Sequence, residues 1–174
     1  MMSVRNNTDS GVTFKAVDAQ NIMRIEAFAR TIWQQTYADM ISQEQIDYML
    51  NEMYSAARIE SDIAAGYRWD LAFIGEALIG YLSYRLEDEQ RVFLSKIYLD
   101  TRLQNRGNGR QLLHRVLDFA AHKQANAVYL TVNKNNAKAI AFYERNGFYI
   151  VKSQVFEIGQ GYVMDDYIMQ FDRT

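Results

Sequence analysis

Between residues 92 and 132 the hydrophobic period changes twice, and this limits the possible folds more than any other feature of the sequence. Residues 92–99 read as a strand, entered through the polar tip Glu87, Asp88, Glu89 and Gln90. A loop follows over residues 100–108. Leu112, Leu113, Val116, Leu117, Ala120 and Ala121 then recur at helical spacing. Residues 127–132 return to a strand rich in β-branched and aromatic side chains. A strand, a helix and a second strand joined in this way predict parallel strands in one sheet, with a right-handed crossover.

The rest of the chain extends that sheet. Residues 12–17 read as a first strand, and Asp18 is placed to cap a helix carrying Ile22, Ile25, Ala29 and Ile32. Ser42 followed by Gln45 has the spacing of a capping box ahead of Ile46, Met49, Leu50 and Met53. Ser55 can cap a third short helix ending near Gly66. Trp69, Leu71 and Phe73, then Leu78, Leu82, Tyr84 and Leu86, predict two strands around Gly75-Glu76. Asn135 or Asn136 can cap a last helix that stops at Asn146-Gly147-Phe148. There the glycine supplies the left-handed C′ position and the phenylalanine packs back on the helix. Residues 149–158 and 162–171 form a final hairpin around Gly159-Gln160-Gly161. The expectation is an α/β fold with a single mixed central sheet of about seven strands flanked by helices. Residues 11–174 would form one domain behind a loose terminus of residues 1–10.

Composition excludes several functions. A net charge of -2 argues against a nucleic-acid binder, which carries a basic stripe. The absence of cysteine removes thiolate nucleophiles and cysteine-ligated zinc, and it suits a reducing, cytoplasmic setting. No apolar run approaches membrane-spanning length, and residues 1–10 lack the apolar stretch of a secretory signal. His114 and His122 point away from the apolar face of their helix, so neither a histidine base nor a metal site is expected.

Two segments carry chemistry. In Gln104-Asn105-Arg106-Gly107-Asn108-Gly109 the glycines let backbone N–H groups turn toward an anion. The helix that follows offers its unpaired N–H groups and positive dipole end, and Arg106 and Arg110 add charge. A blander reading is a glycine-rich turn with two solvated arginines. The second segment runs from Asn136 through Ala139, Phe142 and Tyr143 to Gly147-Phe148. Asn136 and Tyr143 lie on nearly one helix face, two turns apart. The blander reading there is an N-cap and a core tyrosine.

Taken together, the two segments resemble the cofactor motif and the Asn-x-x-Ala-Ile-x-Phe-Tyr-x-x-x-Gly-Phe motif of the GNAT acetyltransferase superfamily. The resemblance covers residues 78–171. Leu94-Ser95-Lys96-Ile97-Tyr98-Leu99 and Met164-Asp165-Asp166-Tyr167 are more particularly similar to bacterial spermidine/spermine-type N-acetyltransferases.

The resemblance implies the acyl-CoA N-acyltransferase fold, with acetyl-CoA as co-substrate and a primary amine, a polyamine first, as acceptor attacking directly. It implies that Gln104 and the backbone of Asn105, Arg106, Gly107, Asn108, Gly109 and Arg110 bind the pyrophosphate. Ile97, Tyr98 and Leu99 would line the pantetheine arm, and the Leu99 N–H would polarise the thioester carbonyl. Asn136, Ala139 and Phe142 would contact the cofactor, Tyr143 would protonate the leaving thiolate, and Arg145 would reach a phosphate.

The chain departs from the pattern twice. Asn108 stands where the family usually carries a bulky apolar residue, and segment 92–99 offers Phe93 and Ser95 where many relatives place a glutamate. Asp166 or a water relay then remains as the base, set against a structural role for Asp166. Asp39, Glu44, Asp47 and Glu52 read either as polyamine attractors or as the wet faces of helices. Trp33, Tyr37, Tyr48 and Trp69 read as acceptor-pocket walls or core. Rival functions are a non-catalytic acyl-CoA-binding module and an acetyltransferase of protein N-termini or lysines. A homodimer through the final strands is a further expectation.

Overall fold

The computed structural model describes residues 11–174; the loose terminus expected over residues 1–10 lies outside them. Among the described residues, seven strands and five helices follow one another along the chain. They are β1 (Val12–Ala16), α1 (Ile22–Tyr37), α2 (Gln43–Tyr54), α3 (Ala56–Ala64), β2 (Arg68–Ile74), β3 (Ala77–Leu86), β4 (Arg91–Leu99), α4 (Asn108–His122), β5 (Ala127–Asn133), α5 (Ala137–Arg145), β6 (Tyr149–Gly159) and β7 (Tyr162–Asp172). They build one sheet in the order β1-β2-β3-β4-β5-β7-β6. All neighbours are antiparallel except β4 and β5, the pair predicted to be parallel.

Strand alternation sends successive side chains to opposite faces, so the sheet carries two cores. Leu71, Phe73 and Tyr81 pack against α1, α2 and α3 through Ile25, Trp33, Ile46, Met49 and Ile59. Leu82, Leu94, Leu99 and Val128 pack against α4 and α5 through Leu112, Leu113, Val116 and Tyr143. Ala121, placed on the apolar face of α4 from its spacing, is exposed. Among the described residues no helix is long and apolar enough to cross a membrane.

The predicted caps form, with two adjustments. Ser42 Oγ accepts from the Gln45 N–H at 3.1 Å. The Gln45 side chain does not complete a reciprocal box: its Nε2 donates to the Val163 carbonyl at 3.0 Å and ties α2 to β7. Ser55 Oγ accepts from the Arg58 N–H at 3.2 Å. Asp18 caps the turn before α1, accepting from the Gln20 and Asn21 N–H groups at 2.8 and 3.0 Å, while α1 starts at Ile22.

Candidate active site

The sheet parts at its centre. β4 pairs with β5 only from Arg91↔Ala127 to Leu94↔Leu130. Beyond that point β4 stays with β3 as far as Leu99↔Gly80, and β5 stays with β7 as far as Asn133↔Asp166. The cause is local. Tyr84 faces Leu94 and Ser83 faces Lys96, so Ser95 is an extra residue on β4. Such a bulge bends its strand and ends regular pairing. A cavity of about 1030 Å³ opens at the gap, reaching from α1 across the parted strands to the start of α4 and to α5.

One edge of β4 faces this gap. The Asp100 N–H donates to the Ile79 carbonyl at 2.8 Å, toward β3. Alternation then turns the Leu99 and Ile97 N–H groups to the other edge, where β5 has moved away. Ile97, Tyr98 and Leu99 all line the cavity. Gly80 lets β3 approach here, since a Cβ on it would lie 2.4 Å from the Tyr98 carbonyl oxygen.

The loop from β4 to α4 is fastened on both sides. Asp100 accepts from the Arg102 N–H at 3.0 Å, and the Arg102 guanidinium holds its carboxyl below the usual range. Thr101 Oγ1 bonds Gln35 on α1 at 3.0 Å. Asn105 and Gly107 take positive φ values of 62° and 83°. No side chain caps α4, so the Asn108, Gly109 and Arg110 N–H groups keep no intrahelical partner. Gln104, Asn105, Gly107, Gly109 and Arg110 line the cavity, whereas Arg106 is exposed and outside it. Asn108 is also outside. It is buried, and its Nδ2 donates to the Leu103 carbonyl at 3.1 Å, so the polar residue at this position anchors the loop.

Across the cavity, α5 presents Asn136, Ala139, Phe142, Tyr143 and Arg145. Asn136 Oδ1 accepts from the Ala139 N–H at 3.1 Å, so this residue caps the helix and also lines the cavity. The end of α5 is the predicted glycine stop. The Phe148 N–H bonds the Tyr143 carbonyl at 3.0 Å, the Gly147 N–H bonds Glu144 at 3.1 Å, and Gly147 has φ 88°. The Phe148 ring packs 5.7 Å from that of Tyr143. This pair of hydrogen bonds with its apolar contact fixes Tyr143 in place. Burial, and then the nearby Tyr37, raise the Tyr143 phenol well above its usual pKa, so the group stays protonated.

Asp166 enters the cavity from β7, opposite Asn133 on β5. It is 1% exposed, and its Oδ1 is buried with no hydrogen-bond partner. Burial raises its pKa to about 6. The Thr131 hydroxyl opposes the shift, Asp165 adds to it and Lys134 opposes it. Tyr37 stands nearby, bonded to the Tyr98 hydroxyl at 2.9 Å. Burial pushes Tyr37 to about 12, against the Tyr98 hydrogen bond and with the help of the Asp166 charge.

The other sequence candidates divide. Trp33 and Tyr37 line the cavity, while Trp69 and Tyr48 do not. Tyr48 instead donates to the Ile158 carbonyl at 2.7 Å. Asp39, Glu44, Asp47 and Glu52 are exposed and outside the cavity. Asp88 closes its turn through the Gln90 and Arg91 N–H groups at 2.9 and 2.8 Å. Lys96 lines the cavity and was not singled out from the sequence. Alternation from Phe93 pointed to Ser95, and only the bulge brings both residues opposite Ser83.

A split seven-stranded sheet, a glycine loop before a helix and a tyrosine helix opposite it define an acyl-CoA N-acyltransferase fold. Residues 27–148 match the Acetyltransferase (GNAT) family, and the chain belongs to it. An uncharacterized N-acetyltransferase of Mycobacterium tuberculosis is 36% identical over 92 residues, 53% of this chain, and the match spans 58% of that relative's length. A spermidine N(1)-acetyltransferase of Thermoplasma acidophilum is 24% identical over 142 residues, 79% of this chain and 88% of the relative. The crystal structure of PaiA N-acetyltransferase from Thermoplasma acidophilum in complex with coenzyme A shares the fold. Its TM-score is 0.79 at 23% identity, covering 93% of this chain and 99% of that one.

Proposed function

We propose that this protein transfers the acetyl group of acetyl-CoA to a small primary amine within a ternary complex. The observation that carries this reading is the gap between β4 and β5, where the anion-ready loop, Tyr143 and the buried Asp166 line one cavity.

The residues suit a coenzyme A nucleotide. The unpaired N–H groups of Asn108, Gly109 and Arg110, with the Arg110 side chain, would hold its pyrophosphate. Gln104, Asn105, Arg106 and Gly107 complete that loop, and Arg145 supplies a second cation. The free edge of β4 at Ile97, Tyr98 and Leu99 would take the pantetheine amides as a missing strand would. Asn136, Ala139 and Phe142 would close over it from α5. When bound, acetyl-CoA supplies an activated acetyl thioester.

Asp166 takes one proton from the substrate ammonium, leaving a neutral nitrogen able to attack. The Leu99 N–H donates to the carbonyl oxygen as the nitrogen–carbon bond forms. Tyr143 gives its proton to the sulfur as the carbon–sulfur bond breaks, and it recovers the second proton of the nitrogen. The balance is one ammonium consumed, with one amide, one thiol and one solvent proton produced. The direct test is release of CoA thiol from acetyl-CoA with a panel of primary amines. Thiol release that depends on an amine supports the reading. Acetyl-CoA binding with no release for any amine or peptide would favour a binding module.

Two finer assignments belong to the same reading. We infer a homodimer through β6, which is the sheet edge and exposes Tyr149, Ile150, Val151 and Val155. A monomeric mass in solution at micromolar concentration would dismiss it. A cytoplasmic setting is supported by the cysteine-free composition and by the need for acetyl-CoA; cell fractionation checks it.

A further inference from the structure

Away from the α4 loop and α5, the cavity is lined by one lysine, Lys96 on β4, and one acid, Asp166 on β7, and the fold gives Lys96 no carboxylate partner. Lys96 lies on β4 beside the bulged Ser95, and its Nζ donates to the Ser95 Oγ at 3.2 Å. The ammonium sits 5.1 Å from the ring centre of Trp69 and 5.7 Å from that of Tyr54. No carboxylate among the described residues pairs with it, and the nearby Asp62 is held by Arg58 at 2.8 Å. Burial pulls its pKa down to about 8; Asp62 opposes that shift and Arg58 adds to it. Directly across the strand pair, Ser83 Oγ is buried with no hydrogen-bond partner. Lys96 is half-buried, and its ammonium has a hydroxyl and two ring faces beside it but no carboxylate, so a ligand that brings an anion adds the charge the site lacks.

Asp166 is the one carboxylate among the described residues lining the cavity. One cation and one carboxylate lining the same cavity are the complement of a zwitterion. Arg110, Lys138 and Arg145 line the same cavity toward the α4 loop and α5, where a phosphate would take them. A polyamine would set its further ammonium groups in a cavity that already holds the half-buried Lys96, with a single acid to meet them.

We propose that the acceptor is an amine that also carries a carboxylate, with Lys96 and Ser95 seating the carboxylate and Asp166 receiving the amine. This rests on the acetyl-transfer reading above and narrows it, away from the polyamine first expected.

The test reads binding apart from turnover. The CoA-loaded protein is titrated by calorimetry with matched pairs: 6-aminohexanoate against hexylamine, and lysine against cadaverine. Spermidine serves as the polycation. The expected result is tighter binding of the carboxylate member of at least one pair, by about 10-fold to 100-fold, the range of a charge-assisted contact. That ratio falls toward one in Lys96→Met and is largely kept in Lys96→Arg. Equal or weaker binding of the carboxylate member in both pairs overturns the proposal, as does spermidine binding tighter than every carboxylate. A ratio in Lys96→Met as large as in the parent also overturns it. The comparison on the parent protein stands even if Lys96→Met folds poorly. Thiol release measured in parallel reports on acetyl transfer alone, so the two can fail separately.

Discussion

At the residue scale, two side chains separate proton chemistry from packing. Tyr143 is held protonated by burial, so Tyr143→Phe keeps the ring and removes only the hydroxyl that the proposed acid step uses. Expected is a fall in kcat of about 100-fold with acetyl-CoA affinity unchanged, within the usual range for a lost general acid. Steady-state rates with calorimetry check it. Asp166 carries a stability cost that follows from its raised pKa. Between its ordinary value of 3.8 and about 6 the folded protein binds a proton that the unfolded chain does not. Stability contributed by this group therefore falls as pH rises through that window. Asp166→Asn should gain about 2 kcal/mol at pH 8, nothing comparable at pH 4, and lose most turnover. Denaturant midpoints at the two pH values test the sign.

The roles assigned to Tyr143 and Asp166 began in the sequence, the first as part of a motif and the second as an acid on the last strand. Neither burial nor the orphaned Oδ1 of Asp166 could be read there, because both depend on β5 and β7 meeting. Lys96 was hidden for a stricter reason. Period-two alternation places it opposite Ser95, and a bulge removes that alternation.

At the element scale, the glycine stop of α5 is where sequence and structure agree most closely. Gly147 needs its positive φ, and a Cβ there would lie 3.1 Å from the Phe171 ring. Gly147→Ala should cost about 1–2 kcal/mol and slow turnover by displacing Tyr143. Gly80 shows what a sequence conceals. It reads as an ordinary strand residue, yet a Cβ would collide with the backbone of β4 at 2.4 Å. Gly80→Ala should cost about 1–3 kcal/mol and weaken acetyl-CoA binding, since the Leu99 edge must move. Thermal melts with and without acetyl-CoA separate the two effects. Half of the capping box was legible; the other half was not, because Gln45 finds Val163 across 118 residues.

At the scale of the whole molecule, the order of elements and the single parallel pair followed from hydrophobic periods. The parting of the sheet did not, since it reflects which strands keep their partners. In the proposed reaction acetyl-CoA replaces the missing contacts between β4 and β5. Saturating acetyl-CoA at about 100 times its Kd should stabilise the fold by about 2.7 kcal/mol, seen as a rise of roughly 5–10 °C in Tm.

The pH dependence of kcat/KM for CoA release with a simple primary amine tests proton transfer to Asp166 most directly. If Asp166 deprotonates a bound ammonium, the rate rises through an apparent pKa near 6 and then levels off between about pH 7 and 9. If the protein only captures amine already neutral in solution, the rate climbs about tenfold per pH unit toward the amine's own pKa near 10, with no plateau. That second profile, unchanged in Asp166→Asn, would contradict the account.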